Sequence, residues 1–312
     1  MNLVTMDYFI ALAEERSFTR AAERLNVTQQ TLSAHIAGVE RELGVKLVNR
    51  KVPLTLTNAG DRFLTYARRF QATKRTLDQE FLDIAQDERG LLGIGIAATR
   101  GHMILPEALS VFQGAHPGIN ALVMEGENQE LIEFLREGRV DLVVASVPHD
   151  LSGFVVRHLY DEHVVLLLSE ELLERVVVES GIPVDEAISR LHDDGDLSVL
   201  GKCPFMLLGE RDEPGQTARR LLARSGVRPW VRVRSTNSET LVDLASKGVG
   251  ACFVPMRQVR ATFGDGEGSG MVALDLGPDS TISIDVAWRD GEHVWSVIES
   301  FYETLHGLFA ED

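Results

Sequence analysis

The sequence predicts an all-helical N-terminal region followed by an α/β region, and three observations lead there. Over residues 1–87 apolar side chains recur at helical spacing, with strand-like alternation only around Val52 to Thr57. From Leu91 short apolar runs, among them LLGIGIAA, DLVVA, VVLLLS, FMLL and ACFVP, alternate with amphipathic helical stretches, the pattern of a largely parallel sheet. A chain of 312 residues is also too long for one ordinary core and divides into two or three domains.

Composition narrows the class. Apolar content of 44% with 25% charged residues is that of a globular protein, and the longest aliphatic stretch, Val164 to Leu168, is far too short to cross a bilayer, so no membrane partner is expected. The start, MNLVTMDYF, lacks the basic and apolar regions of a secretory signal, which points to the cytoplasm. Two cysteines, Cys203 and Cys252, fit a reducing compartment. A net charge of −16 argues against a nucleic-acid partner until its distribution is read. Residues 1–75 hold 12 Lys and Arg against 7 Asp and Glu, so a basic end of net +5 precedes a body of −21.

The elements of the basic end follow in order. A first helix, about Thr5 to Glu15, places Phe9, Leu12 and Ala13 on one face. Ser17 can cap a second helix through FTRAAERL, and Asn26-Val27 makes a tight turn. Thr28 can cap a third helix whose buried face is Leu32, Ile36, Val39 and Leu43, leaving Gln29, Gln30, Thr31, Ser33, Ala34 and His35 near its exposed leading half. Two short helices, a tight turn and a polar leading edge meet the needs of a helix-turn-helix, whose second helix presents its N-terminal residues to base edges. Glutamine suits adenine and hydroxyls suit several bases, although such residues also serve simply to solvate a helix. Asn49-Arg50-Lys51 with Pro53 and alternating Val52, Leu54 and Leu56 reads as a small hairpin wing in which Arg50 and Lys51 grip phosphate. The DNA-facing candidates are therefore Thr28, Gln29, Gln30, Thr31, Ser33, His35, Arg50 and Lys51.

Beyond Thr57 a long helix is predicted from Asn58 to about Gln86. Phe63, Phe70, Leu77 and Ile84 stand seven apart, with Tyr66 and Thr73 between them, which is the spacing of a coiled-coil seam and implies a second copy of the chain, the alternative being a helix packed on its own domain.

The stretch FIALAEERSFTRAAERLNVTQQTLSAHIAGVERELGVKLVNR with LTLTNAG resembles the N-terminal signature of the LysR-type transcriptional regulators. The matching residues are Ser17-Phe18, Ala21-Ala22, Leu25, Gln29, Leu32-Ser33, Ile36, Glu40, Leu43-Gly44, Leu47, Arg50, Leu56-Thr57 and Ala59-Gly60. Gln30 stands where the family often has proline, and Val48-Asn49 replaces a common Phe-x pair. The resemblance implies a winged helix-turn-helix over 1–58, a linker helix over 59–88 that pairs subunits, and an effector domain over 89–312. That domain would have two Rossmann-like lobes of periplasmic-binding-protein-like fold, lobe I about 89–163 and 268–312, lobe II about 164–267. It further implies double-stranded promoter DNA, a small and anionic effector such as an organic acid, a homodimer or homotetramer, and RNA polymerase as partners.

Ligands of such folds lie between the lobes at strand ends and helix N-termini. Thr99, Arg100, Asn128 and Ser146 on the first lobe and Phe205, Thr236 and Asn237 on the second are the candidates, the alternative for each being a plain helix cap or strand end. The segment 180–202 looks long enough either to cover the cleft or to be a surface insertion.

Rival readings are weaker. Gly93-x-Gly95-x-x-Ala98 imitates a dinucleotide fingerprint, but its glycines lie within the strand and no acidic residue follows about 20 positions on. Cys203 and Cys252 suggest a thiol switch, although ACFVP makes Cys252 a core thiol. A solute-binding protein of transport would share the sensor fold but not the winged domain. His149, His158 and His163 have no metal spacing, and no catalytic constellation emerges. No enzyme activity, metal or cofactor is expected.

Overall fold

The computed structural model describes residues 2–51, 53–85, 89–192, 195–264, 269–291 and 293–310. The expected wing residue Val52, the last residues of the predicted linker region (86–88) and residues 265–268 lie outside these.

The N-terminal domain holds helices α1 (Leu3–Glu15), α2 (Phe18–Arg24) and α3 (Gln29–Leu43) and a two-stranded wing, β1 (Val48–Asn49) against β2 (Thr55–Leu56). Each helix begins where a polar side chain satisfies a free backbone N–H: Asn2, Ser17 and Thr28 accept from Thr5, Arg20 and Thr31. Asn26 carries the turn between α2 and α3 at φ 53°, a conformation asparagine tolerates. Phe9, Leu12, Ala21, Leu32, Ile36, Val39, Leu47 and Leu54 form the core. Leu43, expected in that core, is exposed, because it is the last residue of α3 and the left-handed Gly44 turns the chain away there.

Helix α4 (Asn58–Ile84) starts on a Thr57 cap, so close to the wing that a Cβ on Gly60 would strike the Leu47 carbonyl. It leads to two sheets that share one long strand. In the first, β3 (Gly90–Ile96) lies between parallel neighbours β4 (Ile119–Glu125) and β5 (Leu142–Ala145). Helices α5 (Ala98–Ala115) and α6 (Asn128–Arg136) make the crossovers. The 16-residue β6 (Phe154–Ser169) enters this sheet through β11 (Thr281–Arg289), which is antiparallel to both β5 and β6.

The pairing of β6 changes between His163 and Val164. Up to His163 it faces β11; from Val164 it faces β9 (Ala251–Pro255) in the second sheet. That sheet continues to β7 (Pro204–Leu208) and β8 (Trp230–Ser235), both parallel, with β10 (Met271–Asp275) on the other side of β6. Helices α7 (Glu170–Ser180), α8 (Val184–His192), α9 (Glu213–Arg224), α10 (Ser238–Ser246) and α11 (Met256–Phe263) cover it, and α12 (Ser296–Phe309) returns to pack on α5. Because β10 still belongs to the second sheet, the chain re-enters the first lobe between Asp275 and Thr281 rather than at 268.

The 180–202 segment is neither lid nor idle insertion. Ala187, Leu191, Leu197, Val199 and Leu200 are buried in the main core, and none of the segment's described residues lines a cleft cavity.

Candidate DNA interface and ligand cleft

The leading turn of α3 is the open face of the N-terminal domain. Thr28, Gln29, Gln30 and Thr31 are exposed, and the Thr28 hydroxyl both caps the helix and meets the Thr31 hydroxyl at 2.9 Å. Ser33 and His35 are only half exposed. His35 turns to α1, with Nδ1 3.0 Å from Thr5 Oγ1 and its ring edge-on to Tyr8, so it is tied to the scaffold rather than presented freely.

Arg50 is drawn back onto α3. Its Nη1 donates to Ser33 Oγ at 3.4 Å, its Nη2 lies 3.7 Å from Glu40, and its guanidinium sits over the Phe18 ring. Lys51 is exposed beside it. Glu40 anchors the wing: buried on α3, it accepts from the N–H groups of Leu47 and Val48 and from Lys46 at 2.8 Å. Burial alone would raise its carboxyl, yet the Lys46 and backbone hydrogen bonds hold it below the usual range.

Helix α4 has two different faces. One packs on the first lobe: Arg68 pairs with Glu137 at 2.7 Å, Gln79 Nε2 donates to Asp141 at 3.1 Å, and the Ser296 hydroxyl donates to Asp83 at 2.7 Å. A Cβ on Gly138 would fall onto Ala72, so the approach is close. The other face exposes Tyr66, Phe70, Thr73, Leu77, Phe81 and Ile84, whose steps of four and three keep to one side of the helix. Phe63, predicted on this seam, instead packs edge-on to Phe9 in the N-terminal core.

Between the lobes lies a cavity of about 280 Å³. The ends of β3 and β4 and the start of α6 bring Thr99, Arg100 and Asn128 to it, and the second lobe contributes Thr236. Thr99 reaches across: its hydroxyl is 2.8 Å from that of Ser238, which also accepts from buried Gln258 Nε2 at 3.1 Å. Ser146 lines an adjoining cavity of about 890 Å³, which Asn128 also borders.

Two expected residues fall elsewhere. Phe205 is wholly buried, stacked on Phe253, because the cleft opens at the C-terminal ends of the strands and β7 offers Leu208 there instead. Asn237 spends its side chain capping α10, accepting from the Thr240 N–H at 3.0 Å, and does not line the cavity.

Sequence reasoning missed the carboxyls. Among the described residues, Glu125, Glu127, Glu130, Glu162, Asp212 and Glu213 line the cavity against one guanidinium, that of Arg100. The signal for Asp212 was present, since DEPG after the apolar FMLL marks a helix start by the same logic as Thr99. Glu162, lying mid-strand, offered none. Its carboxylate accepts from Arg100 Nη2 at 3.0 Å and from the Tyr160 hydroxyl at 3.3 Å. Burial works against the Arg100 charge, but Glu162 holds it above its ordinary value. Glu162 thus offsets the Arg100 charge through Nη2, while Nε and Nη1 are left without hydrogen-bond partners.

In this structure the two thiols are not placed to bridge. Met206 pairs with Cys252, and Cys203 lies three residues before Met206, just ahead of β7, roughly 10 Å away at about 3.3 Å per residue, whereas bridging requires about 7 Å or less between Cα atoms. They also belong to different core clusters. Burial pushes both thiols up to about 12, so neither supplies a reactive thiolate near neutral pH. In the native protein a thiol reagent such as Ellman's is expected to label neither cysteine; labelling of either within minutes would contradict this.

Among the described residues no group of His, Cys, Asp and Glu is placed to hold a metal, and no helix is long and apolar enough to cross a membrane.

A polar recognition turn, a basic wing and a two-lobed cleft on one chain define a helix-turn-helix regulator of transcription. Two family patterns match: "Bacterial regulatory helix-turn-helix protein, lysR family" over residues 3–61 and "LysR substrate binding domain" over 85–310. The chain belongs to the LysR family of DNA-binding transcriptional regulators and is not an enzyme. It is 30% identical to the uncharacterized HTH-type transcriptional regulator YcgK of Bacillus subtilis, across 82% of this chain and 80% of that one. It is 27% identical to the DNA-binding transcriptional dual regulator OxyR of Escherichia coli, across 98% and 95%. A full-length OxyR variant from Pseudomonas aeruginosa has a similar fold, with a TM-score of 0.70 at 22% identity over 98% and 94%.

Proposed function

We propose that two copies of this chain, paired through the exposed face of α4, read promoter DNA with the leading turns of their α3 helices, and that a small molecule in the interlobe cleft controls the geometry of the assembly. The single observation that carries the reading is the exposed Thr28–Thr31 turn beside Arg50 and Lys51, polar and basic at the end of an otherwise acidic chain. Gln29 and Gln30 contact base edges, while Arg50 and Lys51 hold phosphate. Such a protein works in the cytoplasm beside its DNA, with RNA polymerase as a further partner.

The cleft is placed to transmit a signal. Thr99 and Ser238 join the two lobes, and α4 is bonded to the first lobe through Arg68, Gln79 and Asp83. A ligand that favours one lobe arrangement shifts the assembly by its difference in affinity for the two.

Recovery of genomic fragments by the purified protein tests the reading; enrichment of one shared sequence supports it, and binding without sequence preference counts against it. Gln29→Ala is expected to relax base preference at one position of that sequence, whereas Arg50→Ala weakens binding to every sequence and lowers the salt slope by about one. Equal loss on all sequences from both substitutions would remove the base-reading role of Gln29. The name OxyR raises peroxide sensing as a second reading, but the separation and burial of Cys203 and Cys252 give it no support here.

A further inference from the structure

The interlobe cleft is unusual for a site expected to take an acid. Among the described residues six carboxyls line it and one guanidinium, itself paired with Glu162. Arg211 acts on Glu127 from the neighbouring cavity, and Arg219 lies near Asp212 without lining the cleft. An entering anion would therefore meet carboxylates from both lobes before any free cation.

Helix capping accounts for part of this charge. Glu127 and Glu130 form a capping box at the start of α6, the Glu127 N–H donating to Glu130 at 3.2 Å, and Asp212 accepts from the Gly215 N–H at 3.1 Å. Capping leaves two groups unexplained. The Glu213 carboxyl accepts from Ser146, but its Oε2 is shut off from solvent with no hydrogen-bond partner. Arg100 is 4% exposed, lines the cavity, and has both Nε and Nη1 without partners. Orphaned buried groups of this kind are costly unless a ligand completes them. The first is an acceptor in need of a donor, and the second is a pair of donors in need of an acceptor.

We infer that the cleft binds a small zwitterion of α-amino-acid type, its ammonium held by Glu213 with Asp212 and Glu127 and its carboxylate received by Arg100. This rests on the reading of the cleft as the effector site and names the class of molecule it takes. Both unpartnered groups are completed by one ligand, and the ammonium offsets carboxylates that face each other from opposite lobes. Burial first raises the carboxyls of Glu127, Asp212 and Glu213; Asp212 and Glu130 add to it at Glu127, and Glu162 adds to it at Asp212 and Glu213 against the pull of Arg100, a crowding that an ammonium relieves. A cavity of about 280 Å³ suits a molecule of that size. A bare metal ion is a poorer match, since no three ligating side chains among the described residues converge.

The test is calorimetric titration of the full-length protein, without DNA, against the free L-amino acids, their N-acetyl derivatives and their α-amides. At least one free amino acid is expected to bind, with N-acetylation and amidation each weakening it tenfold or more. Glu213→Gln should weaken the same ligand by a similar factor, and Asp212→Asn, which keeps the cap, should weaken it less. Binding of no free amino acid, or equally tight binding of its N-acetyl form, would overturn the inference, as would unchanged affinity in both variants. Because the readout needs no DNA, failure of promoter recognition would count against the regulatory reading alone.

Discussion

Replacing Phe70 and Leu77 together with aspartate is expected to convert the assembled protein to a monomer at micromolar concentration. Both side chains are exposed on the face of α4 that the first lobe does not cover, and Phe81 and Ile84 extend the stripe with 62% and 69% exposure. An apolar row of this length on a soluble helix is an interaction surface. Two like charges placed in its centre cannot be buried without a partner. Since paired half-sites gain about 10²–10⁴ in avidity over one, DNA affinity should fall by about two orders of magnitude or more. Sedimentation and DNA titration check this together. A variant that remains dimeric would show that the stripe is not the seam.

Asp141→Ala is expected to be the most destabilising single change in the effector domain. Asp141 is fully buried, accepts from the Gly93 N–H at 2.7 Å and Gln79 Nε2 at 3.1 Å, and lies 3.9 Å from Arg75 and 4.0 Å from Arg289. Arg289 meanwhile donates Nη1 to the carbonyls of Leu135 and Val140. Removing the carboxylate strands a largely buried guanidinium, a buried amide and a strand N–H at one point. Breaking a buried ionic cluster costs about 3–5 kcal/mol, equivalent to a fall in Tm of roughly 6–20 °C for a domain of this size. The same substitution loosens α4 from the first lobe, so the ligand response should weaken more than DNA affinity. Thermal unfolding within about 2 °C of the parent would contradict the assignment.

The sequence made the N-terminal domain readable almost residue by residue because its signals are local. Caps at Ser17, Thr28 and Thr57 and the turn at Asn26 are decided within three or four positions. Leu43 and Phe63 misled for a common reason. Periodicity identifies a face but not where the neighbouring element stops or begins, and one residue falls just beyond the core while the other falls just inside it.

The cleft was less legible. Thr99, Arg100, Asn128 and Thr236 follow from the rule that ligands meet strand ends, and the structure brings these four to one cavity. Phe205 fails that rule because it begins its strand rather than ending it. What local pattern could not reveal was charge assembled from distant segments: Glu162 and Arg100 are 62 residues apart, and Glu127 and Asp212 meet only when the two lobes fold against each other. The pairing of Arg100 with Glu162 is invisible in sequence for the same reason.

Nuclease protection by the purified protein on one recovered genomic fragment tests the central claim most directly. Two protected half-sites, on one face of the duplex and separated by about one or more helical turns of 10–10.5 base pairs, are expected from paired recognition helices. Gln29→Ala should alter which fragments are protected without changing that spacing. A single protected site, or protection with no fixed phase, would contradict an account in which two copies of this chain read DNA together.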